Sequence, residues 1–148
     1  MVTTVGTEST YEDVVKNLLI LEHDAISAYE STVERLDDPH SKRQISSFRD
    51  DHLAHVQELT RLAGSLGIEA PQEGDMKEYL TTGKIALASL VGDKTILKAM
   101  STNEIETKMA YDQAAKNSVV PAEARSFFQK AYADEDRHKA WMDQAAAA

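Results

Sequence analysis

The sequence predicts an all-α protein, a four-helix bundle of two antiparallel hairpins joined by a long crossover that contains a short helix. Only 6 Gly and 3 Pro occur in 148 residues, which favours long uninterrupted helices over many short strands. Apolar residues recur in alternating steps of three and four, the spacing of one helix face. We expect one domain over residues 1–148, with a flexible N-terminus over 1–9 and the crossover over 67–92.

Start and stop signals divide the chain into helices. Ser9 or Thr10 begins a capping-box pattern, Pro39 follows the end of the first helix, and Gly67 lies where a C-terminal glycine cap belongs. Asp93 is predicted to cap the third long helix. The predicted long helices cover 11–36, 41–66, 93–117 and 122–146, with a short helix over 76–90. Short connections make each pair of long helices an antiparallel hairpin, and the long connection lies between the pairs.

Ionisable residues interrupt the apolar stripe of every long helix near its middle. They are Glu22 on the first helix, His52 and His55 on the second, Glu104 on the third, and Glu135 and His138 on the fourth. Burying a lone carboxylate costs several kcal/mol unless it is paired, protonated or bound to a cation. Carboxylate oxygens together with imidazole nitrogens suit iron, manganese or zinc. The pattern therefore predicts a metal site inside the bundle.

An internal repeat supports this interpretation. Glu22 and Glu104 are 82 positions apart (104 − 22), and each is followed seven positions later by a tyrosine, Tyr29 or Tyr111. The pairs His52–His55 and Glu135–His138 share an i, i+3 spacing, which places both side chains on one helix face, and they are offset by 83 positions (135 − 52). A pseudo-twofold axis between the hairpins would bring the two sets together.

These residues resemble the ferritin-like di-metal carboxylate superfamily, and within it the rubrerythrin-like and bacterial ferritin-like domains. That family places one Glu on each of two helices and a Glu-x-x-His pair on each of the other two. The resemblance covers roughly residues 11–145. It implies that Glu22 and Glu104 are terminal ligands, that Glu135 bridges two metals, and that His55 and His138 are nitrogen ligands.

The chain departs from that pattern at one position. His52 stands where the family has a second bridging Glu, and a neutral imidazole cannot bridge as a carboxylate does. We expect His52 to be an extra nitrogen ligand or a donor to a ligand. Asp51 is an alternative carboxylate, but it lies about 100° around the helix from the stripe. Away from the stripes, Asp134 is expected to be an exposed helix charge.

The leading functional hypothesis is a ferritin-like protein that binds one or two divalent ions, iron or manganese and alternatively zinc. If the ions are redox-active, it would be an oxygen- or peroxide-dependent oxidoreductase; whether it is an enzyme stays open. The first alternative is a non-enzymatic helical bundle that binds a partner and retains a degenerate metal site. Another is reversible oxygen binding of the haemerythrin type, which also uses His-rich helical bundles.

Composition restricts the partners. The formal net charge of −9 disfavours nucleic acid and anionic membrane surfaces. The chain has no Cys, which excludes disulfides and thiolate metal sites, including the rubredoxin-type iron centre of full rubrerythrins. No signal peptide or apolar run of membrane-spanning length is visible, so we expect a cytoplasmic protein. A homodimer is left open.

Overall fold

The computed structural model describes residues 3–72 and 89–148, which form four α-helices and no strand. The helices are α1 (Tyr11–Arg35), α2 (Pro39–Ser65), α3 (Asp93–Lys116) and α4 (Ala122–Ala147). All four long helices are predicted from the sequence, with ends that differ by one or two residues. The short helix predicted over 76–90 falls almost entirely on residues outside the described part.

Side-chain caps fix the first two helix starts. The Thr10 hydroxyl accepts a hydrogen bond from the backbone N–H of Asp13 at 3.2 Å. The Asp38 carboxylate caps α2 by accepting from the N–H of Ser41 at 3.1 Å. Because proline fits the first turn of a helix, this cap lets α2 begin at Pro39, two residues before the predicted start.

The predicted cap at Asp93 is wrong. Gly92 occupies the N-cap position of α3 and provides no side-chain hydrogen bond. The Asp93 carboxylate instead accepts from the backbone N–H groups of Asp37 at 2.9 Å and Asp38 at 3.0 Å. Asp93 therefore fastens the start of α3 to the loop between α1 and α2, which is a tertiary role that the local sequence does not reveal.

Each helix runs antiparallel to its two neighbours, in the order α1–α2–α4–α3 around the bundle. At one end, Asp93 meets the α1–α2 loop; at the other, Gly6 lies against Ala110 and Ala114 in the C-terminal half of α3. Consequently α2 and α3 are parallel, and α2 ends at the opposite end of the bundle from the start of α3.

The core consists of two apolar clusters with polar residues between them. One cluster, around Leu18, Leu59 and Phe128, lies at the end where α1 begins. The other, around Phe48, Leu97 and Met142, lies at the end where α1 finishes. None of the helices in the described ranges combines the length and apolar character that crossing a bilayer requires.

The N-terminal segment packs along α3. The Gln113 amide donates to the carbonyl oxygens of Thr3 and Val5, at 3.1 and 2.8 Å. The Asn117 amide donates to the carbonyls of Gly6 and Glu8, both at 2.9 Å. Gly6 has a φ of +98°, a left-handed conformation that favours glycine. A Cβ at this position would lie 2.7 Å from the backbone nitrogen of Ala114 and still closer to the carbonyl oxygen of Ala110.

We expect Gly6→Ala to lower the free energy of unfolding by about 1–3 kcal/mol, because the new methyl group meets backbone and the positive φ is strained. Gly64→Ala is the matched control. Gly64 lies within α2 with nothing within 4 Å of the added Cβ, so that variant should gain up to about 1 kcal/mol. Urea denaturation of both variants measures the difference, and equal midpoints would contradict the close packing of residue 6.

Candidate metal centre

The structure brings the six ionisable stripe residues together in one layer, called here the polar layer: Glu22, His52, His55, Glu104, Glu135 and His138. All six are buried, with at most 2% of any residue exposed. They lie between the two apolar clusters, because each occupies the middle of its helix and faces the bundle axis. The helical periodicity thus predicts both their inward orientation and their common level.

The oxygen and nitrogen atoms of the layer form two overlapping groups, each compact enough to hold a metal ion. The Glu22 group contains Glu22, His52, His55 and Glu135, and the Glu104 group contains His52, Glu104, Glu135 and His138. In each group the ligand-type atoms lie within 4.8 Å of one another. The internal repeat exchanges one group for the other, with His52 and Glu135 shared and in equivalent positions.

In the Glu22 group, the Glu22 carboxylate is hydrogen-bonded to two histidines. Glu22 Oε1 lies 3.0 Å from His52 Nδ1, and Glu22 Oε2 lies 3.1 Å from His55 Nδ1. Both carboxylate oxygens of Glu22 therefore have an imidazole partner on α2. The third contact, between His55 Nδ1 and Glu135 Oε1, is longer at 3.4 Å.

Unpartnered atoms are concentrated in the Glu104 group. His52 Nε2 is 3.4 Å from Glu104 Oε1 and 3.3 Å from Glu135 Oε2, and His138 Nδ1 is 3.5 Å from that same Glu135 oxygen. Within the described residues, His52 Nε2, His138 Nδ1 and both carboxylate oxygens of Glu135 are buried without a hydrogen-bond partner. Buried polar atoms normally have a partner, so these four indicate a cation-binding position.

Two aspartates outside the stripes contact the site; the sequence interpretation named Asp51 only as an alternative carboxylate ligand and missed Asp134. Asp51 Oδ2 lies 2.8 Å from His138 Nε2, and Asp134 Oδ2 lies 2.8 Å from His55 Nε2. Each aspartate thus binds a histidine of the other hairpin. The expectation that Asp134 is an exposed helix charge is wrong, because it is only partly exposed and contacts the layer.

A signal for these aspartates is present in the sequence. Asp51 and Asp134 are offset by 83 positions, like the two i, i+3 pairs, and each directly precedes its pair. Helix geometry alone puts them off the stripe; only the crossing of α2 and α4 brings them to the opposite histidines. Arg137 contacts both carboxylates, at 2.7 Å to Asp51 and 3.4 Å to Asp134.

Glu104 is held by hydroxyl groups. Tyr29 donates a hydrogen bond to Glu104 Oε1, and Thr107 donates to Oε2 at 3.2 Å. These bonds leave the carboxylate turned towards His52. Tyr111, the repeat partner of Tyr29, is buried as well, but its hydroxyl has no partner among the described residues.

The charges of the layer shift its pKa values. Burial raises the pKa of Glu135 to about 7, and the neighbouring Glu104 charge adds to this. Burial alone would raise the pKa of Glu104, but its interactions with Glu135 and His52 lower it to about 2. Burial would lower the pKa of His52, yet Glu135 and Glu22 raise it well above its usual value. The carboxylates therefore favour a positive charge at their centre.

A cleft between α1 and α3 leads towards Glu104. Its volume is about 200 Å³, and Tyr29, Glu104 and Thr107 are among the residues that line it. Asp24 and Glu106 also line the cleft, and burial together with the Glu106 charge raises the pKa of Asp24 to about 6. Glu104 is the one residue of the polar layer among those that line this cleft.

A protein-family model described as "Domain of unknown function (DUF2383)" matches residues 10–117. The match covers most of the chain, from α1 to the end of α3, so the chain belongs to this family. It includes Glu22, His52, His55 and Glu104 and ends before α4. No curated protein and no solved structure is similar enough to match the chain.

For metal-free protein, we expect stability to fall as the pH rises from about 6.5 towards 10. Burial would lower the pKa of His55, but Glu135 and Glu22 raise it from 6.5 to about 10. A proton held more tightly by the folded chain stabilises the fold below the unfolded pKa, and this stability is lost as the pH rises through the folded pKa.

Urea denaturation across this pH range tests the expectation. His55→Gln should flatten the decline, whereas substitution of an exposed histidine outside the layer, His40→Gln, should preserve it. A wild-type protein whose stability rises over this pH range would contradict the raised pKa of His55 in the folded protein.

Proposed function

We propose that this member of the DUF2383 family is a ferritin-like protein that binds one or two divalent metal ions in the polar layer. The six residues of the layer supply the ligands, and iron or manganese suits them best, with zinc as an alternative. If the bound ion is redox-active, the protein acts as an oxidoreductase that uses oxygen or peroxide.

The observation that carries the proposal is the set of four buried, unpartnered atoms of His52, His138 and Glu135. A buried carboxylate without a hydrogen bond costs several kcal/mol, and neither oxygen of Glu135 accepts one among the described residues. The nearest imidazole nitrogens, of His52, His55 and His138, lie 3.3, 3.4 and 3.5 Å away. A divalent cation would satisfy Glu135, His52 and His138 at once. The donor set of imidazole nitrogens and carboxylate oxygens agrees with such an ion.

The chain's own residues would prepare the site for that ion. Asp51 and Asp134 orient the rings of His138 and His55, as carboxylates commonly do for metal-binding histidines. Tyr29 and Thr107 fix the Glu104 carboxylate through hydrogen bonds, and the Tyr29 hydroxyl holds its proton at Oε1 of Glu104. The two apolar clusters exclude bulk water from both sides of the polar layer. A bound iron or manganese ion would supply the electrons that such chemistry exchanges with oxygen or peroxide.

One observation favours the non-enzymatic alternative. The hydrogen bonds of Glu22 with His52 and His55 satisfy part of the layer without any ion. In that case the layer would be a polar network that fixes the helix register, and the protein would act by binding a partner. Metal content separates the two functions.

Elemental analysis of protein purified without chelator, and again after reconstitution, tests metal binding. We expect the wild type to contain about one or two ions per chain. Glu135→Gln should lose most of this, because the amide cannot supply the charge that both groups share. Glu30→Gln, which changes an exposed glutamate on α1, is the control and should keep the wild-type content.

Failure of the reconstituted wild type to hold iron, manganese or zinc would overturn the proposal. Circular dichroism of Glu135→Gln would establish that the variant is folded. Equal metal content in Glu135→Gln and wild type would place the ion elsewhere.

A further inference from the structure

We infer that the polar layer holds a single ion, bound by the Glu104 group, and that Glu22 and His55 are positioning residues rather than ligands. The ligand atoms would be His52 Nε2, His138 Nδ1 and the carboxylates of Glu104 and Glu135. This inference rests on the proposed function and adds the number of ions and the division of roles among the six residues.

Interatomic separations distinguish the contacts of Glu22 from those of the Glu104 group, although His55 Nδ1 in the Glu22 group also lies 3.4 Å from Glu135 Oε1. Two ligand atoms bound to one tetrahedral ion by bonds of about 2.1 Å lie about 3.4 Å apart. The nitrogen–oxygen distances of the Glu104 group are 3.3, 3.4 and 3.5 Å. A hydrogen bond instead brings nitrogen and oxygen to about 2.9 Å. The two contacts of Glu22, at 3.0 and 3.1 Å, have that length and leave room for a proton rather than an ion.

The second nitrogen of each ring gives an independent argument. His52 has Glu22 at Nδ1, and His138 has Asp51 at Nε2, so each ring has one nitrogen bound to a carboxylate and one buried nitrogen without a partner. With the proton on the bound nitrogen, the other presents its lone pair to the Glu104 group. His55 has Glu22 at Nδ1 and Asp134 at Nε2, which leaves neither nitrogen unpartnered.

His52 explains why the Glu22 group differs from the Glu104 group. In the repeat, His52 takes the place equivalent to Glu135, but a ring offers only one nitrogen to each side. Its Nδ1 lies against Glu22, so it cannot ligate an ion in the Glu22 group without losing that hydrogen bond. The cleft between α1 and α3 also reaches Glu104 rather than Glu22. The presence of a histidine at position 52, where the repeat would place an equivalent of Glu135, thus makes one half of the layer a support for the other.

The number of ions tests the inference directly. Protein stripped of metal is reconstituted with manganese(II), freed of excess ion and analysed for manganese and protein. We expect one ion per chain and the paramagnetic resonance spectrum of an isolated manganese(II) ion. Two ions per chain with a spin-coupled spectrum would overturn the inference but leave the proposed function intact. Failure to bind manganese, and equally iron and zinc when reconstituted with each, would reject the proposed function itself.

The two aspartates provide a matched pair of variants. Asp51→Asn weakens the support of His138, a ligand here, and should reduce manganese affinity by about 10–100-fold. Asp134→Asn makes the same chemical change beside His55 and should reduce manganese affinity by clearly less. Equal losses would mean that both histidines are ligands and would overturn the inference. The urea midpoints of the metal-free variants control for folding.

Glutamine substitution separates a ligand from a positioning residue. Glu22→Gln retains an oxygen that can accept from His52 Nδ1, so one ion should still bind with affinity close to that of the wild type. Glu104→Gln removes a charged ligand and should lose most of the binding. Similar losses in the two variants would show that Glu22 ligates the ion.

Discussion

The structure depends on the burial of three carboxylates in the middle of a four-helix bundle. Glu22, Glu104 and Glu135 lie between two apolar clusters, where each charge is costly unless something positive or hydrogen-bonding faces it. Three imidazoles meet that requirement in part. Their contacts cross from α1 to α2 and from α2 to α4, while Tyr29 connects α1 with α3. The polar layer therefore fixes the register of the helices as well as forming the site.

The internal repeat makes the site almost symmetric, and one residue breaks the symmetry. Exchange of the hairpins maps the Glu22 group onto the Glu104 group, but it also maps His52 onto Glu135. A carboxylate has two equivalent oxygens that can serve both sides of the axis. An imidazole has two nitrogens that usually differ, because in the neutral ring one carries the proton. Two halves with the same spacing of polar residues therefore acquire different hydrogen bonds and, in our proposal, different roles.

The crossed aspartate–histidine pairs connect the buried layer to the surface. Asp51 and Asp134 are partly exposed and contact Arg137, yet each also reaches a buried histidine of the other hairpin. The hydrogen bond to His138, followed by that to Arg137, lowers the pKa of Asp51 against the opposing effect of burial. These ionised carboxylates hold the rings in one orientation and so preorganise the layer.

The sequence by itself determined the four helices and the six inward-facing polar residues, because both follow from local periodicity and from caps such as Thr10. It also indicated the pairing of hairpins, through the repeat that relates Glu22 to Glu104. The role of Asp93 and the contacts of Asp51 and Asp134 were decided only by the tertiary structure. Each depends on which chain segment crosses a helix at a given level, and helical periodicity carries no information about that partner. The difference between the two halves of the layer likewise appears only in interatomic distances, since it rests on a few tenths of an ångström between hydrogen bonds and longer contacts.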